Sequence, residues 1–328
     1  MISRLRSWWH GASWNVAART AALAAWDVKV MGSALAARLY EEGRAGPAAP
    51  VPPAPATVGL GGRLCRQEDI EAEWLRFWCG ELKFAPLYHR KVWEDCYALQ
   101  LLYEHGMLAE GRRGLGFAVG AEWLPSFLAA AGVDVLATDL ATTDPRAQPW
   151  MDTGQHGGSE TALFKPELVA EDLFRRHVTM RAVDMNRIPD NIGRFDFLWS
   201  ICSLEHCGTL AKGMDFVVAA MRCLRPGGIA VHTTEFNVNP DGPTPGRGRT
   251  VLYQRRHMEA LAARLDAAGH TMLPMDFGTG DGVLDRFVDL PPYEAHPWFL
   301  PSVRAPHLRA SHQGHAVTSI GFAVKAGR

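Results

Sequence analysis

The hydrophobic positions follow two rhythms. Up to about residue 106 they recur at helical spacing, and beyond it short apolar runs alternate with amphipathic stretches. Residues 2–42 carry Leu23, Trp26, Val30 and Leu39 at near-helical intervals with basic residues scattered between them, which predicts an amphipathic helix. Such a helix needs a surface to lie on. The protein's own core or a second copy of the chain would provide one; a membrane surface is the alternative, but it would call for a denser Lys/Arg face. The run PAAPVPPAP (47–55) holds five prolines, which fix φ and remove donors, so it reads as a polyproline-like spacer. Helical text resumes from Gln67 to Gly106 and is dense in rings (Trp74, Phe77, Trp78, Phe84, Tyr88, Trp93, Tyr97, Tyr103). These rings read first as core, and otherwise as flat surfaces for a sugar acceptor.

After Gly106 the predicted strands are 114–118, 133–138, 178–183, 195–200 and 229–234, with helices at 122–131, 166–176, 210–224 and 255–268 between them. Strands alternating with helices predict an α/β fold with a doubly wound parallel sheet. Two further strands, near 270–276 and 316–325, flank a proline-rich excursion. The division that follows is an N-terminal helical segment (1–43), a proline-rich linker (44–57), a helical cap (58–106) and a ligand-binding domain (107–328).

Composition narrows the function. With Lys+Arg 34 against Asp+Glu 35 in 328 residues, the chain lacks the basic footprint of a nucleic-acid binder. Its six cysteines include no C-x-x-C pair and read as reduced thiols. No run of about 18 apolar residues is present to span a bilayer, and Asn15, Arg19 and Thr20 interrupt any signal-peptide core, so the expected compartment is the cytoplasm. No His or Glu pair shows tight ligand spacing, and no metal is expected.

The strongest local motif is GLGFAVG, Gly114 to Gly120, followed by a helix and, 19 residues after Gly120, by Asp139 at the end of the next strand. Glycines at a strand-to-helix turn let a ligand approach backbone N–H groups, and an acid at the tip of the second strand can accept from ribose hydroxyls. The constellation suits a nucleoside. Its third glycine stands one residue later than a dinucleotide fingerprint requires, which disfavours NAD. Asp184-Met185 end the third strand, SICSLEH (200–206) follows the fourth, and Leu224-Arg225-Pro226-Gly227-Gly228 makes a sharp turn into the fifth.

In that order, these motifs resemble the class I S-adenosylmethionine-dependent methyltransferases over about residues 107–325, and more narrowly the methyltransferases of bacterial glycan-assembly gene clusters. The resemblance implies a Rossmann-like seven-stranded sheet with an antiparallel last strand. It implies that Gly116, Ala118 and Gly120 line the methionine part of S-adenosylmethionine, that Asp139 holds the ribose with Leu140 on the adenine, and that Asp184 accepts from the adenine amino group beside Met185. Ser200, at the end of the fourth strand, joins this set. Two positions depart from the pattern: Gly114 stands where an acid is usual, and Ala118 replaces a glycine. Either another residue, Glu122 for instance, then compensates in holding the cofactor's amino group, or affinity falls.

Methyl transfer to a hydroxyl needs in-line alignment and a base near the accepting oxygen. His206 follows the fourth strand at the carboxyl end of the sheet, and an imidazole, which titrates near pH 6.5, suits that role. Glu205, His156, Glu235 and His232 are rivals. The expected function is O-methylation of a saccharide or similar small hydroxylated acceptor. The alternatives are a non-catalytic pseudo-enzyme that serves as a partner in a glycan-assembly complex, and a nicotinamide oxidoreductase.

Overall fold

The structure is a computed structural model and describes residues 12–43, 50–291, 293 and 305–327. Residues 2–11 of the predicted helix, part of the spacer and most of the proline-rich excursion lie outside the described residues.

The strands are β1 (Gly62–Leu64), β2 (Arg113–Gly116), β3 (Asp134–Asp139), β4 (Val178–Ala182), β5 (Phe195–Ile201), β6 (Leu224–Asn237), β7 (Thr271–Met272), β8 (Met275–Asp276), β9 (Ala310–His312) and β10 (His315–Lys325). They form one mixed sheet in the order β4-β3-β2-β5-β6-β10-β1-β8, with β7 and β9 also paired to β10. Strands β2 to β6 run parallel, and β10 lies antiparallel to β6 with Phe322 opposite His232. This is the expected doubly wound sheet with a reversed last strand. The predicted strand near 270–276 is divided into two short pieces, β7 and β8, and two further short strands, β1 and β9, join the sheet, too brief to leave a hydrophobic rhythm.

Alternation along each strand divides the core between the two faces of the sheet. Phe197, Trp199, Ile229 and Val231 point to one face, while Leu198, Ala230, Phe322 and Val324 point to the other. The first face is covered by α2 (Glu73–Glu81), α3 (Arg90–Glu104), α4 (Leu124–Ala130) and α5 (Glu171–His177). The second is covered by α6 (Leu210–Ala220) and α7 (Arg255–Ala267). The RPGG sequence is an irregularity inside β6 rather than a turn ahead of it. Gly227 takes φ of 77°, and a Cβ at Gly228 would lie 2.6 Å from the Asp196 carbonyl oxygen, so both glycines are required where the strand shifts register.

Segment 58–106 is built into this architecture and does not form a detached cap. β1 pairs with β10, Arg63 opposite Gly321, and the rings of Trp74, Trp78, Trp93 and Tyr97 are buried in the first core. The end of the proline spacer is docked as well: Gln100 Nε2 donates to the Ala56 carbonyl at 2.7 Å, and Glu104 accepts from the amides of Val58 and Leu60.

The N-terminal helix α1 (Ala12–Gly43) packs on the body through Trp26, Lys29, Gly32, Ala36 and Leu39. Leu23 and Val30, expected on the inner stripe, are 45% and 42% exposed. The contact face instead passes through Lys29, whose Nζ lies 3.5 Å from Asp289 Oδ1 with both side chains buried. No helix among the described residues is long and apolar enough to cross a membrane.

Candidate functional site

A cavity of about 350 Å³ opens at the carboxyl ends of β2, β3, β4 and β5, the edge where doubly wound sheets bind ligands. Its first wall is the turn after β2. Gly120 takes φ of 54°, and Ala118 takes 48°, a left-handed conformation that a side chain makes costly by about 1–2 kcal/mol. Cys202, opposite on the wall, is a second non-glycine residue in this region, at 42°. Sparsely populated backbone of this kind persists where surrounding packing over-determines it, commonly at functional sites. Gly116 lies beneath the wall: a Cβ there would meet Val119 Cγ1 at 2.4 Å and Trp199 Cζ2 at 2.5 Å.

Asp139, at the tip of β3, is 8% exposed on the cavity wall. Its Oδ2 accepts from the amides of Gly120 (3.2 Å) and Gly157 (3.0 Å), and its Oδ1 accepts from the amide of Leu140 (2.7 Å). Oδ1 thus keeps capacity for one further donor. The Gly157 contact arises because the loop after β3 folds back onto the glycine turn, where Gln155 O would lie 2.5 Å from a Cβ at Gly120. His156 secures that fold: its Nε2 donates to the Leu140 carbonyl at 3.0 Å and its side chain is only 4% exposed. His156 is therefore a buried clamp beside Asp139, not a group facing an acceptor.

Leu140, Met185 and Asp184 continue the wall. Asp184 caps the short turn at Met185 by accepting from the Asn186 amide and pairs with Arg146 Nη2, both at 2.9 Å. Burial pushes this carboxyl up, but the Arg146 guanidinium and the Asn186 amide more than offset that and hold it below the ordinary Asp range. Ser200 is not on the wall. It is fully buried and bonds His232 Nδ1 at 2.7 Å, because its place in the β5 alternation turns it into the second core. Burial pushes the His232 imidazole down to about 3, so this histidine is a neutral core residue remote from the cavity.

At the far end stands His206, on the cavity wall. Its Nδ1 faces the Arg249 carbonyl oxygen at 2.8 Å. That bond makes Nδ1 the protonated nitrogen and leaves Nε2 as acceptor. Trp150 packs edge-on against the ring at 5.0 Å, with the Arg249 guanidinium over the indole. Glu205 points the other way: fully buried, it accepts from Thr234 Oγ1 at 2.9 Å. Burial and the neighbouring Glu235 push its carboxyl up, against the pull of His206. Glu235 Oε1 forms an ion pair with Arg90 Nη2 at 2.5 Å and is off the cavity wall.

Cys202, Glu205 and Glu235 bring a thiol and two carboxylates within 4.8 Å of one another. The guanidinium of Arg90, paired with Glu235 and 3.6 Å from Cys202 Sγ, is the cation beside that cluster.

The wall nearest Glu122 was not foreseen in the sequence. Lys91, Glu94 and Asp95 of α3 line it. Their i, i+3, i+4 spacing puts them on one helical face while Trp93, Cys96 and Tyr97 enter the core. Arg146, Trp150 and Gln155 also border the cavity. The available signal was a charged K-x-x-E-D face interrupting a ring-rich helix.

The donor and acceptor set fits a nucleoside carrying a small zwitterionic arm. Asp139 has one open acceptor position, Leu140 and Met185 present apolar surface, and charged side chains of both signs lie beside the glycine turn.

No family model matches the chain, and no curated protein matches it. Solved structures do. Magnesium protoporphyrin IX methyltransferase from Synechocystis PCC 6803 with bound SAH (S-adenosylhomocysteine) aligns at 12% identity and TM-score 0.41, covering 70% of this chain and 80% of that one. An S-adenosylmethionine-dependent methyltransferase from Clostridium acetobutylicum aligns at 12% identity and TM-score 0.40, covering 73% and 92%. A Galdieria sulphuraria protein assigned as a sarcosine dimethylglycine methyltransferase aligns at 18% identity and TM-score 0.37 over 54% of this chain, which spans 60% of that protein's length.

Proposed function

We propose that this protein is an S-adenosylmethionine-dependent methyltransferase that methylates a hydroxyl of a saccharide or similar small acceptor, in keeping with its resemblance to enzymes of glycan assembly. The observation that supports this reading is a single cavity on which Gly120, Asp139, Leu140, Asp184, Met185 and His206 all border. When bound, the cofactor supplies an electrophilic methyl group on a sulfonium.

The chain's own residues have the following roles. Asp139 Oδ1 accepts from one ribose hydroxyl, while its remaining bonds to Gly120, Leu140 and Gly157 hold the carboxylate in place. Leu140 and Met185 cover the adenine faces, and Asp184 accepts from its amino group with Arg146 fixing the carboxylate. His206, held by the Arg249 carbonyl, would take the acceptor hydroxyl's proton on Nε2 as the oxygen–carbon bond forms and the methyl–sulfur bond breaks, leaving a neutral thioether.

Calorimetric titration tests the reading. SAH should bind and NADH should give no heat, and Asp139→Ala should weaken SAH binding. Binding of NADH in place of SAH would favour the oxidoreductase. Saturable SAH binding with no methylation of any saccharide in a panel would favour a pseudo-enzyme or another acceptor class.

A further inference from the structure

Position 114 cannot carry the acid that would hold the amino group of the cofactor's methionine arm. Gly114 lies mid-strand in β2, and a Cβ there would stand 2.5 Å from Phe197 Cζ and 2.7 Å from Cε2. The ring fills the space a carboxylate would need, so the structure itself excludes that group.

The cavity supplies a substitute from another element. α3 crosses the first face of the sheet and presents Lys91, Glu94 and Asp95 beside the glycine turn and Glu122. Their states of pairing differ. Glu94 is fully buried and accepts from Lys91 Nζ (3.0 Å), from Cys202 Sγ (3.1 Å) and from Ser319 Oγ, so its oxygens are committed. Glu122 Oε2 accepts from Trp199 Nε1 at 2.9 Å. Among the described residues nothing donates a hydrogen bond to the Asp95 carboxylate, which nevertheless lines the cavity. Lys91 uses one N–H on Glu94 and keeps the others.

A carboxylate lacking a donor and an ammonium with spare donors, one helical turn apart on the same face, complement the two ends of an α-amino acid. Resting on the reading of the cavity as the S-adenosylmethionine site, we propose that Asp95 and Lys91 hold the cofactor's amino-acid end. Asp95 accepts from its ammonium and Lys91 donates to its carboxylate, in place of the acid that Phe197 excludes from position 114. Asp95 lies next to Glu94, and burial together with that neighbour pushes its carboxyl up to about 7, against the pull of Lys91.

The experiment compares two ligands by calorimetry: SAH, and 5′-methylthioadenosine, which keeps the nucleoside and thioether but has no amino-acid group. The wild-type chain should prefer SAH. Asp95→Asn and Lys91→Met should each weaken SAH binding by about 10- to 100-fold while methylthioadenosine affinity stays within about twofold, which also reports that the variants are folded. Retained SAH preference in both variants, or an equal loss for the two ligands, would overturn the assignment while leaving the cofactor reading intact. Absence of heat from both ligands with the wild-type chain would instead remove the cofactor reading and this inference with it.

Discussion

Trp199 Nε1 donates to Glu122 Oε2 at 2.9 Å, and the same indole fills the place a side chain at Gly116 would take, its Cζ2 lying 2.5 Å from where that Cβ would stand. Strand, glycine turn and cavity wall are therefore coupled through one ring. Trp199→Phe should cost about 2–3 kcal/mol, from lost volume and from a half-buried carboxyl deprived of its donor. Gly116→Ala should cost about 1–3 kcal/mol by overpacking. Because both changes act on the same space, urea unfolding of the double variant should show a loss smaller than the sum of the two. Strict additivity would separate the sites.

The carboxyl of Asp95 offers a pH test. Burial and Glu94 raise it from the ordinary Asp range to about 7, while Lys91 opposes them and Glu122 faces it from the glycine turn. A raised acid favours the protonated folded state, so its contribution to stability is fully present below pH about 4 and declines as pH rises to about 7. Asp95→Asn should therefore raise Tm at pH 8 and leave it nearly unchanged at pH 4. For ligand binding the sign reverses, since an ammonium needs the ionised acid. SAH affinity should fall by up to about tenfold per unit as pH drops below 7, with no such trend for methylthioadenosine.

His206 carries the prediction about chemistry. His206→Ala should lower kcat by about 10²–10⁴-fold with SAH affinity nearly unchanged, because the residue serves the acceptor's proton and not the nucleoside. His156→Ala should behave differently: with the Leu140 clamp lost, the loop over Asp139 loosens and SAH affinity falls first. If kcat instead survives His206→Ala and collapses in Glu235→Ala, the proton acceptor belongs to β6.

Lys29 is the stability test for α1. Lys29→Met removes the buried cation opposite Asp289 and should cost about 2–3 kcal/mol, less than the ~3–5 of a wholly uncompensated charge, because His307 Nδ1 remains 2.8 Å from Asp289 Oδ2. Chemical denaturation measures it directly. Deleting residues 1–43 should destabilise the remainder further by baring the surface that covers Trp26. A truncated chain as stable as the whole would make α1 an accessory.

The sheet was legible because its main strands are short, mostly apolar runs set between helices with clear stripes. Asp139, Leu140, Asp184 and Met185 were legible because each follows a strand end, where topology alone delivers a residue to the cleft. Ser200 was not, because strand parity decides which face a residue takes and one position turns it from cavity to core. In α1 the inner face passes through a lysine and a glycine, which no hydrophobic rhythm marks. The rings of α3 likewise mark only the core side of the helix, and Lys91 and Asp95 lie on the other. Strand β1 left no pattern at all: three residues, Gly62–Leu64, are held by a partner some 250 positions away.

That pairing governs the order in which the molecule can be made. Arg63 and Leu64 find their neighbours in Gly321 and Ile320, and Lys29 finds Asp289, so these segments wait for residues made some 250 positions later to complete their contacts. At about 5–20 residues per second the wait is tens of seconds, during which the ring-rich helices stand beside an unfinished sheet. Stopping translation before β10 would therefore leave the amino-terminal third without its seat as well as removing an edge strand. Ribosome-bound chains ending before residue 315 should be degraded rapidly by protease from the amino-terminal side, and chains extended past residue 325 on a linker should not.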